Sequence, residues 1–479
     1  MSAGVKKWAI LAIRWTIAVA GIWYVLVNIS WRDQVLVLDP DNRPHEVRLA
    51  EPWDERSSTV TILDPVPGLD TNVIPVRTLV HEADREQVTL RLPQGPQVRP
   101  LLAVDLATPH LRTAERVLVE DPETGKGIWF DAAQVVGGYQ VRVPFPLVQS
   151  GLGHMLQTAD PVFLWAAVLI FPLTFLITGL RWHLLLKALD IHLGLARAFI
   201  INMVGAFYNT FMPGSTGGDV LKAYYAAKQT HLRTRAVMSV IVDRAIGLIA
   251  LITLGGTMAA LQWQEPATRQ IAVIAAGVIG MLAVGMFVFY TTWLRHATGL
   301  GFVLRRLPMQ TQVNKAIETM EIYRRRPWLV TGALVGSLPV HMTVVVSAMF
   351  AGMAFDLPLR PQQYWVIVPV IVLAGSIPIS PQGAGVMEFF AILLTRPHGC
   401  TVAQAFALTM SIRLVQIAWN LTGGIFVLRG GYHAPTAKEQ AEQEEQDVEN
   451  TKSQAPDSRQ MPVEKEEKGA GEPSAFSSL

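Results

Sequence analysis

Apolar and polar positions follow three different patterns along this chain. Six segments carry about 20 or more mostly apolar residues, the length a helix needs to cross a bilayer. They lie at roughly 8–29, 161–180, 237–261, 270–294, 328–355 and 403–428. Two further apolar stretches, 198–228 and 362–395, are each cut in the middle by Pro and Gly. Between the first two spans, residues 32–158 alternate apolar and polar, as in Gln34-Val35-Leu36-Val37-Leu38 and Gln87-Val88-Thr89-Leu90-Arg91-Leu92. Turns follow at Asp39-Pro40-Asp41 and Asp121-Pro122-Glu123, which predicts a small β domain. Val35-Leu36-Val37 before Asp39-Pro40 echoes Val117-Leu118-Val119 before Asp121-Pro122, the mark of two related β units. The domain's histidines, His45, His81 and His110, are scattered and read as surface residues. Residues 431–479 are Glu, Gln, Lys, Ser and Pro with almost nothing apolar, so they are expected to be disordered.

These patterns divide the chain into an anchor helix (1–31), an extracytoplasmic β-rich domain (32–158), a membrane domain (159–430) and a cytoplasmic tail (431–479). The first span is not a cleaved signal: its apolar run is long, Arg14 interrupts it, and no small-x-small site precedes Trp31. Arg14 is expected to snorkel towards the headgroups. Composition agrees with a membrane protein. Of 479 residues 51% are hydrophobic and 16% charged, against about 25% charged in soluble proteins. The single cysteine, Cys400, excludes an intramolecular disulfide, a Cys-rich zinc site and an iron–sulfur cluster. A net charge of +2 argues against a nucleic-acid partner.

Charge distribution sets the orientation. Basic residues cluster at 6–14, 181–197, 222–235 and 295–326, whereas the opposing short loops hold only Arg269, Arg360 and Arg396. Both termini are therefore placed in the cytoplasm and 32–158 outside. The count closes only if each interrupted segment returns to the side it came from, 198–228 from the cytoplasm and 362–395 from outside. The predicted fold is an α-helical multi-pass membrane protein with about six full spans plus two re-entrant broken helices.

The interruptions carry the chemistry. The first reads Asn209-Thr210-Phe211-Met212-Pro213-Gly214-Ser215-Thr216-Gly217-Gly218-Asp219-Val220-Leu221-Lys222. The second reads Ser376-Ile377-Pro378-Ile379-Ser380-Pro381-Gln382-Gly383-Ala384-Gly385-Val386-Met387-Glu388. A helix cannot run through such Pro and Gly clusters at ordinary cost, and each ends on an acid placed to open the next helix, where the dipole favours it. A single offset without gaps lays one on the other, Gly214 on Gly383 and Asp219 on Glu388. The same offset lays Arg244 on Arg413, so an arginine follows each acid at the same spacing, and Gly255 lies on Gly424. With opposite sides of insertion this is the pattern of an inverted repeat, which in transporters marks a substrate site near the midplane. Ionisable residues at such depth normally face a cavity or a bundle interior. The alternative is that the four only pair with one another as polar glue. Asp243-Arg244 also reads as an ion pair at headgroup level, and His341 as a hydrogen-bonded bundle residue.

In order, Arg181-Trp182, Asn209 through Pro213-Gly214-x-x-Gly217-Gly218-Asp219-Val220, Asp243-Arg244, and Pro378-Ile379-Ser380-Pro381-x-Gly383-x-Gly385-x-x-Glu388 resemble the lysylphosphatidylglycerol synthase transmembrane-region family over about 161–430. The resemblance implies a multi-pass protein of the bacterial cytoplasmic (inner) membrane that moves lipid between leaflets, with both motifs lining the headgroup path. The aminoacyl-transferase domain of full-length synthases has no counterpart in 431–479, so lysyl transfer is not expected. Nor is the β insertion part of the family pattern, which leaves its extracytoplasmic partner open. Phosphate suits the half-helix N-termini and Arg244 or Arg413. Asp219 and Glu388 gate, bind cationic headgroup parts or carry a coupling proton. No phosphate-binding Gly-x-x-x-x-Gly-Lys-Ser/Thr loop is present, so no nucleotide or other cofactor is expected. Two rivals are a membrane transferase acting on a polyprenyl-phosphate-type lipid, with Asp219 or Glu388 as base, and a scaffold presenting the outer β domain.

Overall fold

The computed structural model describes Trp23 and residues 30–54, 56–106, 114–139, 141, 146–211, 217–291, 310–377, 380–429 and 432. The expected span at 8–29 and the tail at 431–479 fall outside these residues, apart from Trp23 and Tyr432, as do His110, Pro213, Gly214 and Pro378.

The alternating segment forms short antiparallel strands. β1 (Gln34–Leu38) pairs with β2 (Pro44–Arg48); β3 (Thr59–Thr61) pairs with β4 (Val73–Pro75). β5 (His81–Glu82), β6 (Gln87–Leu92), β7 (Gly95–Leu106), β8 (Ala114–Glu120) and β9 (Gly127–Asp131) make the largest sheet. β10 (Val148–Gln149) returns to pair with β1. The two echoing segments are the first strands of two hairpins, and their turns interlock: Asn42 Nδ2 donates to the Gly127 carbonyl at 3.1 Å and Lys126 pairs with Asp41 at 2.7 Å. His45 lies half-buried against Asp39, and His81 is half-buried as well. Its Nδ1 is buried, and that burial lowers its pKa.

The ends of the β region are tied at one point. The carboxylate of Asp33, 2% exposed, accepts from the Trp53 and Gly151 backbone N–H groups at 2.6 and 2.7 Å and meets His154 Nδ1 at 2.5 Å. From there α1 (Leu152–Thr158) packs Leu152 and Met155 into a helical core with Tyr364, Ile371 and Leu408. Thus the β-rich region is seated on the bundle by its own exit helix.

In the bundle, α2 (Pro161–Ile170) and α3 (Pro172–Ala188) run on as one apolar rod broken at Pro172, which has no N–H to give the ladder. Next come α4 (Leu195–Phe211), α5 (Gly217–Lys228), α6 (Arg233–Leu261), α7 (Pro266–Tyr290) and α8 (Gln310–Arg325). The chain continues through α9 (Pro327–Ala354), α10 (Pro361–Ser376), α11 (Val386–Thr395), α12 (Val402–Thr422) and α13 (Gly424–Leu428). Five of these rods are long and apolar enough to cross a membrane: Pro161–Ala188, Arg233–Leu261, Pro266–Tyr290, Pro327–Ala354 and Val402–Leu428.

Helix starts recur at the same offset. Val386 and Val402 stand to Gly217 and Arg233 as Gly383 stands to Gly214, so α5 and α6 have counterparts in α11 and α12. Packing is reciprocal as well. A Cβ on Gly255 of α6 would come within 3.0 Å of Pro369 of α10, and one on Gly424 within 2.8 Å of Phe207 of α4. So α6 packs against α10, and the α12–α13 rod against α4.

Paired hairpins at the candidate site

Both interrupted segments fold back on themselves. In the first, α4 and α5 press together at Gly205 and Gly218, where a Cβ on Gly218 would run into the Gly205 carbonyl. Asn209 Oδ1 accepts from the Gly218 N–H at 2.7 Å, satisfying a backbone donor that the break at the start of α5 leaves over. We expect Gly218→Ala to be destabilising by about 1–3 kcal/mol, because backbone cannot yield as a side chain can. Gly277→Ala is the control, since nothing lies within 4 Å of a Cβ there. Thermal unfolding of the two purified variants checks this, and equal melting temperatures would contradict it.

The second hairpin closes at Gly375 against Met387, the counterpart of Gly218 in the second segment. Gly385 has φ of 84°, a conformation that favours glycine, and it turns the chain into α11. Glu388 Oε2 then reaches back to accept the Gly385 N–H at 2.6 Å, a cap on the first turn. Gly383 is also left-handed, with φ of 69°, and Ser380 is buried.

Each acid meets the arginine that follows it at the shared spacing. Arg244 Nη1 pairs with Asp219 Oδ2, both side chains 28% exposed. Arg413 Nη2 pairs with Glu388 Oε1 at 2.6 Å, with exposures of 11% and 2%. The two hairpins also touch. Gln382 Nε2 donates to the Asn209 carbonyl at 3.1 Å, and Arg244 Nη2 to the Ser376 carbonyl at 3.3 Å. Residues 132 to 173 apart in sequence thus share one place in the bundle. Among the described residues, Arg413 Nε and Ser380 Oγ are buried without a hydrogen-bond partner, so the guanidinium of the second pair keeps one donor to spare.

Two of the expected residues, Asp243 and Lys222, have partners other than those expected. Asp243 does not pair with Arg244 at headgroup level. It is buried and accepts from Arg181 Nε at 2.8 Å and Lys222 Nζ at 3.0 Å. Arg181 and Lys222 are accordingly not loop charges: the helix holding Arg181 runs on to Ala188, and both cations are buried. Lys222 also donates to Asn202 Oδ1 at 3.1 Å and sits 4.3 Å from the Trp182 ring centre. Arg181 Nη1 donates to Ser337 Oγ at 2.7 Å. Among the described residues, two cations against one acid give this network a surplus positive charge. Sequence reasoning placed Arg181 and Asn202 outside the candidate set. The signal that could have found Arg181 is its place mid-helix in an apolar run, where an unpaired arginine is costly. His341 is hydrogen-bonded to the Gly247 carbonyl at 2.8 Å. Among the described residues no group of three His, Cys, Asp or Glu is arranged to hold a metal ion.

The model of the lysylphosphatidylglycerol synthase TM region matches residues 145–424, which takes in the bundle with both hairpins. A UPF0104 membrane protein of Methanothermobacter thermautotrophicus is 25% identical over 291 residues, 56% of this chain and 84% of that protein. A UPF0104 membrane protein of Pyrococcus horikoshii is 21% identical over 301 residues, 57% of this chain and 89% of the relative. With five spanning-length helices, these matches make the chain a multi-pass membrane protein. The β-rich strands up to β9 precede the matched region.

Proposed function

Because the chain belongs to the lysylphosphatidylglycerol synthase transmembrane-region family, we propose that it moves a phosphate-bearing lipid across the cytoplasmic membrane without altering it chemically. The observation that carries this reading is the meeting of the two hairpins, each with its own acid–arginine pair. Broken backbone and ionised side chains persist at membrane depth only where protein or a wet cavity satisfies them. Paired broken helices in two repeats are how secondary transporters build a site near the midplane.

In this reading the repeat is inverted. The α4–α5 hairpin dips from the cytoplasm and the α10–α11 hairpin from outside, with both termini cytoplasmic and 32–158 outside. The lipid phosphate meets the N-terminal ends of α5 and α11, and the surplus charge of Arg181 and Lys222 favours its approach. The Asp219 pair is part-exposed and the Glu388 pair sealed, the asymmetry expected of a carrier open to one side. Asp219 and Glu388 act through charge, as headgroup ligands, gates or proton carriers, and the protein needs no cofactor and catalyses no bond change.

Movement of a labelled phospholipid by the purified protein in liposomes, with Asp219→Asn as the variant, tests the function. The membrane arrangement has its own check. A reporter fused after Ser150 is expected to be active only outside the cytoplasm, and single cysteines along 209–222 and 378–390 to react with reagents from opposite sides. A reporter active only in the cytoplasm would overturn the opposed hairpins.

A further inference from the structure

A cavity of about 1210 Å³ lies where the β-rich region meets the bundle, and neither acid–arginine pair lines it. One wall is the segment 82–86, with Leu101 and Leu102 behind it. The facing wall comes from the α6–α7 turn, the start of α10 and the far end of α11. The β side brings Glu82, Asp84, Glu86 and Arg85; the bundle side brings Glu265, Arg360 and Arg396. An ion pair between Arg396 and Glu82 joins the walls, and Glu82 also accepts from Gln149 at 2.9 Å. Arg85 pairs with Asp84 at 3.3 Å and stands over the Tyr139 ring. His398, hydrogen-bonded to Gln363 at 2.7 Å, lines the bundle side as well.

The rest of the lining is apolar. Phe389 and Leu393 are 53% and 55% exposed, and with Ile392 they form the cavity face of α11. The other face of α11 buries Glu388, Ala391 and Thr395. One short helix therefore separates this cavity from the Glu388–Arg413 pair.

We propose that the cavity binds the zwitterionic headgroup of a phospholipid, its phosphate on the arginines, its ammonium on the carboxylates, and its glycerol end on Phe389 and Leu393. The lining charges decide the class. Asp84 is fully buried against Arg85 and Tyr139, so a simple anion meets the carboxylates of Glu82, Glu86 and Glu265 here, a simple cation meets three guanidiniums, and only a group with both signs is matched on both. The exposed Phe389 and Leu393 select a lipid over a free zwitterion, since a soluble headgroup has nothing to cover them. The inference rests on the proposed function for its substrate class and for placing this end of the bundle at the outer leaflet.

The test uses the full chain in phosphatidylglycerol nanodiscs holding a trace of phosphatidylethanolamine with a diazirine beside the glycerol. Photolabelling is expected on the peptides around 389–393 and 262–272. Excess unlabelled phosphatidylethanolamine should displace it, and further phosphatidylglycerol or soluble glycerophosphoethanolamine should not. Removing one charge of each sign with Glu265→Gln plus Arg360→Gln should lower labelling about tenfold, with the melting temperature as a check on folding. Labelling that is unchanged in that double variant overturns the site. Equal displacement by phosphatidylglycerol overturns the zwitterion, and equal displacement by the soluble compound overturns the lipid. Asp219→Asn separates the two claims: labelling should persist in it whether or not transport does. Transport without specific labelling sinks the cavity alone, and specific labelling without transport sinks the transport reading alone.

Discussion

Arg413→Ala is expected to destabilise the protein by about 3–5 kcal/mol, because it strands a carboxylate that has no water to turn to. Glu388 is 2% exposed, and Arg413 supplies its charge-assisted bond at 2.6 Å. The remaining bond, from the Gly385 N–H, cannot offset an ionised group in the bundle interior. Adding Glu388→Gln should restore part of the loss, since an amide removes the uncompensated charge and keeps the cap on α11. A double-mutant cycle read from thermal or denaturant unfolding should give a coupling of about 0.5–3 kcal/mol. Strict additivity would mean that the two do not share a site. The corresponding cycle for Arg244 and Asp219 should give less. Both are 28% exposed, and pairs that reach solvent contribute about 0–1 kcal/mol.

That difference between the pairs was not legible in the sequence, where Asp219 and Glu388 stand in the same grammar. The spans were legible, because continuous apolar runs leave little choice in a bilayer. The runs 237–261, 328–355 and 403–428 correspond to α6, α9 and the α12–α13 rod within a few residues. The breaks were legible for the same kind of reason: Pro and Gly act locally. Partners were harder. Each acid and its arginine lie on consecutive helices, so their meeting follows from a simple hairpin. Asp243 instead finds Arg181, 62 residues away, and no local rule carries that. Counting basic residues used Arg181 and Lys222 as charges that orient the spans. A one-dimensional count cannot tell a charge that orients a span from one neutralised inside the bundle. The junction of the β-rich region with α11 was equally hidden, since Glu82 and Arg396 are 314 residues apart.

The central claim is that the acids of the two hairpins serve transport and not only packing. Asp219→Asn tests it with the least disturbance. The amide keeps the size and one acceptor of the side chain, and the pair it breaks is part-exposed, so folding should change by no more than about 1 kcal/mol. The measurement is the rate at which a fluorescent phospholipid becomes accessible to a quencher outside liposomes holding the purified protein. The predicted result is rapid exchange with the wild type and, at an unchanged melting temperature, exchange no faster than protein-free liposomes with Asp219→Asn. Exchange at the wild-type rate in that variant would make the pair structural and contradict the account.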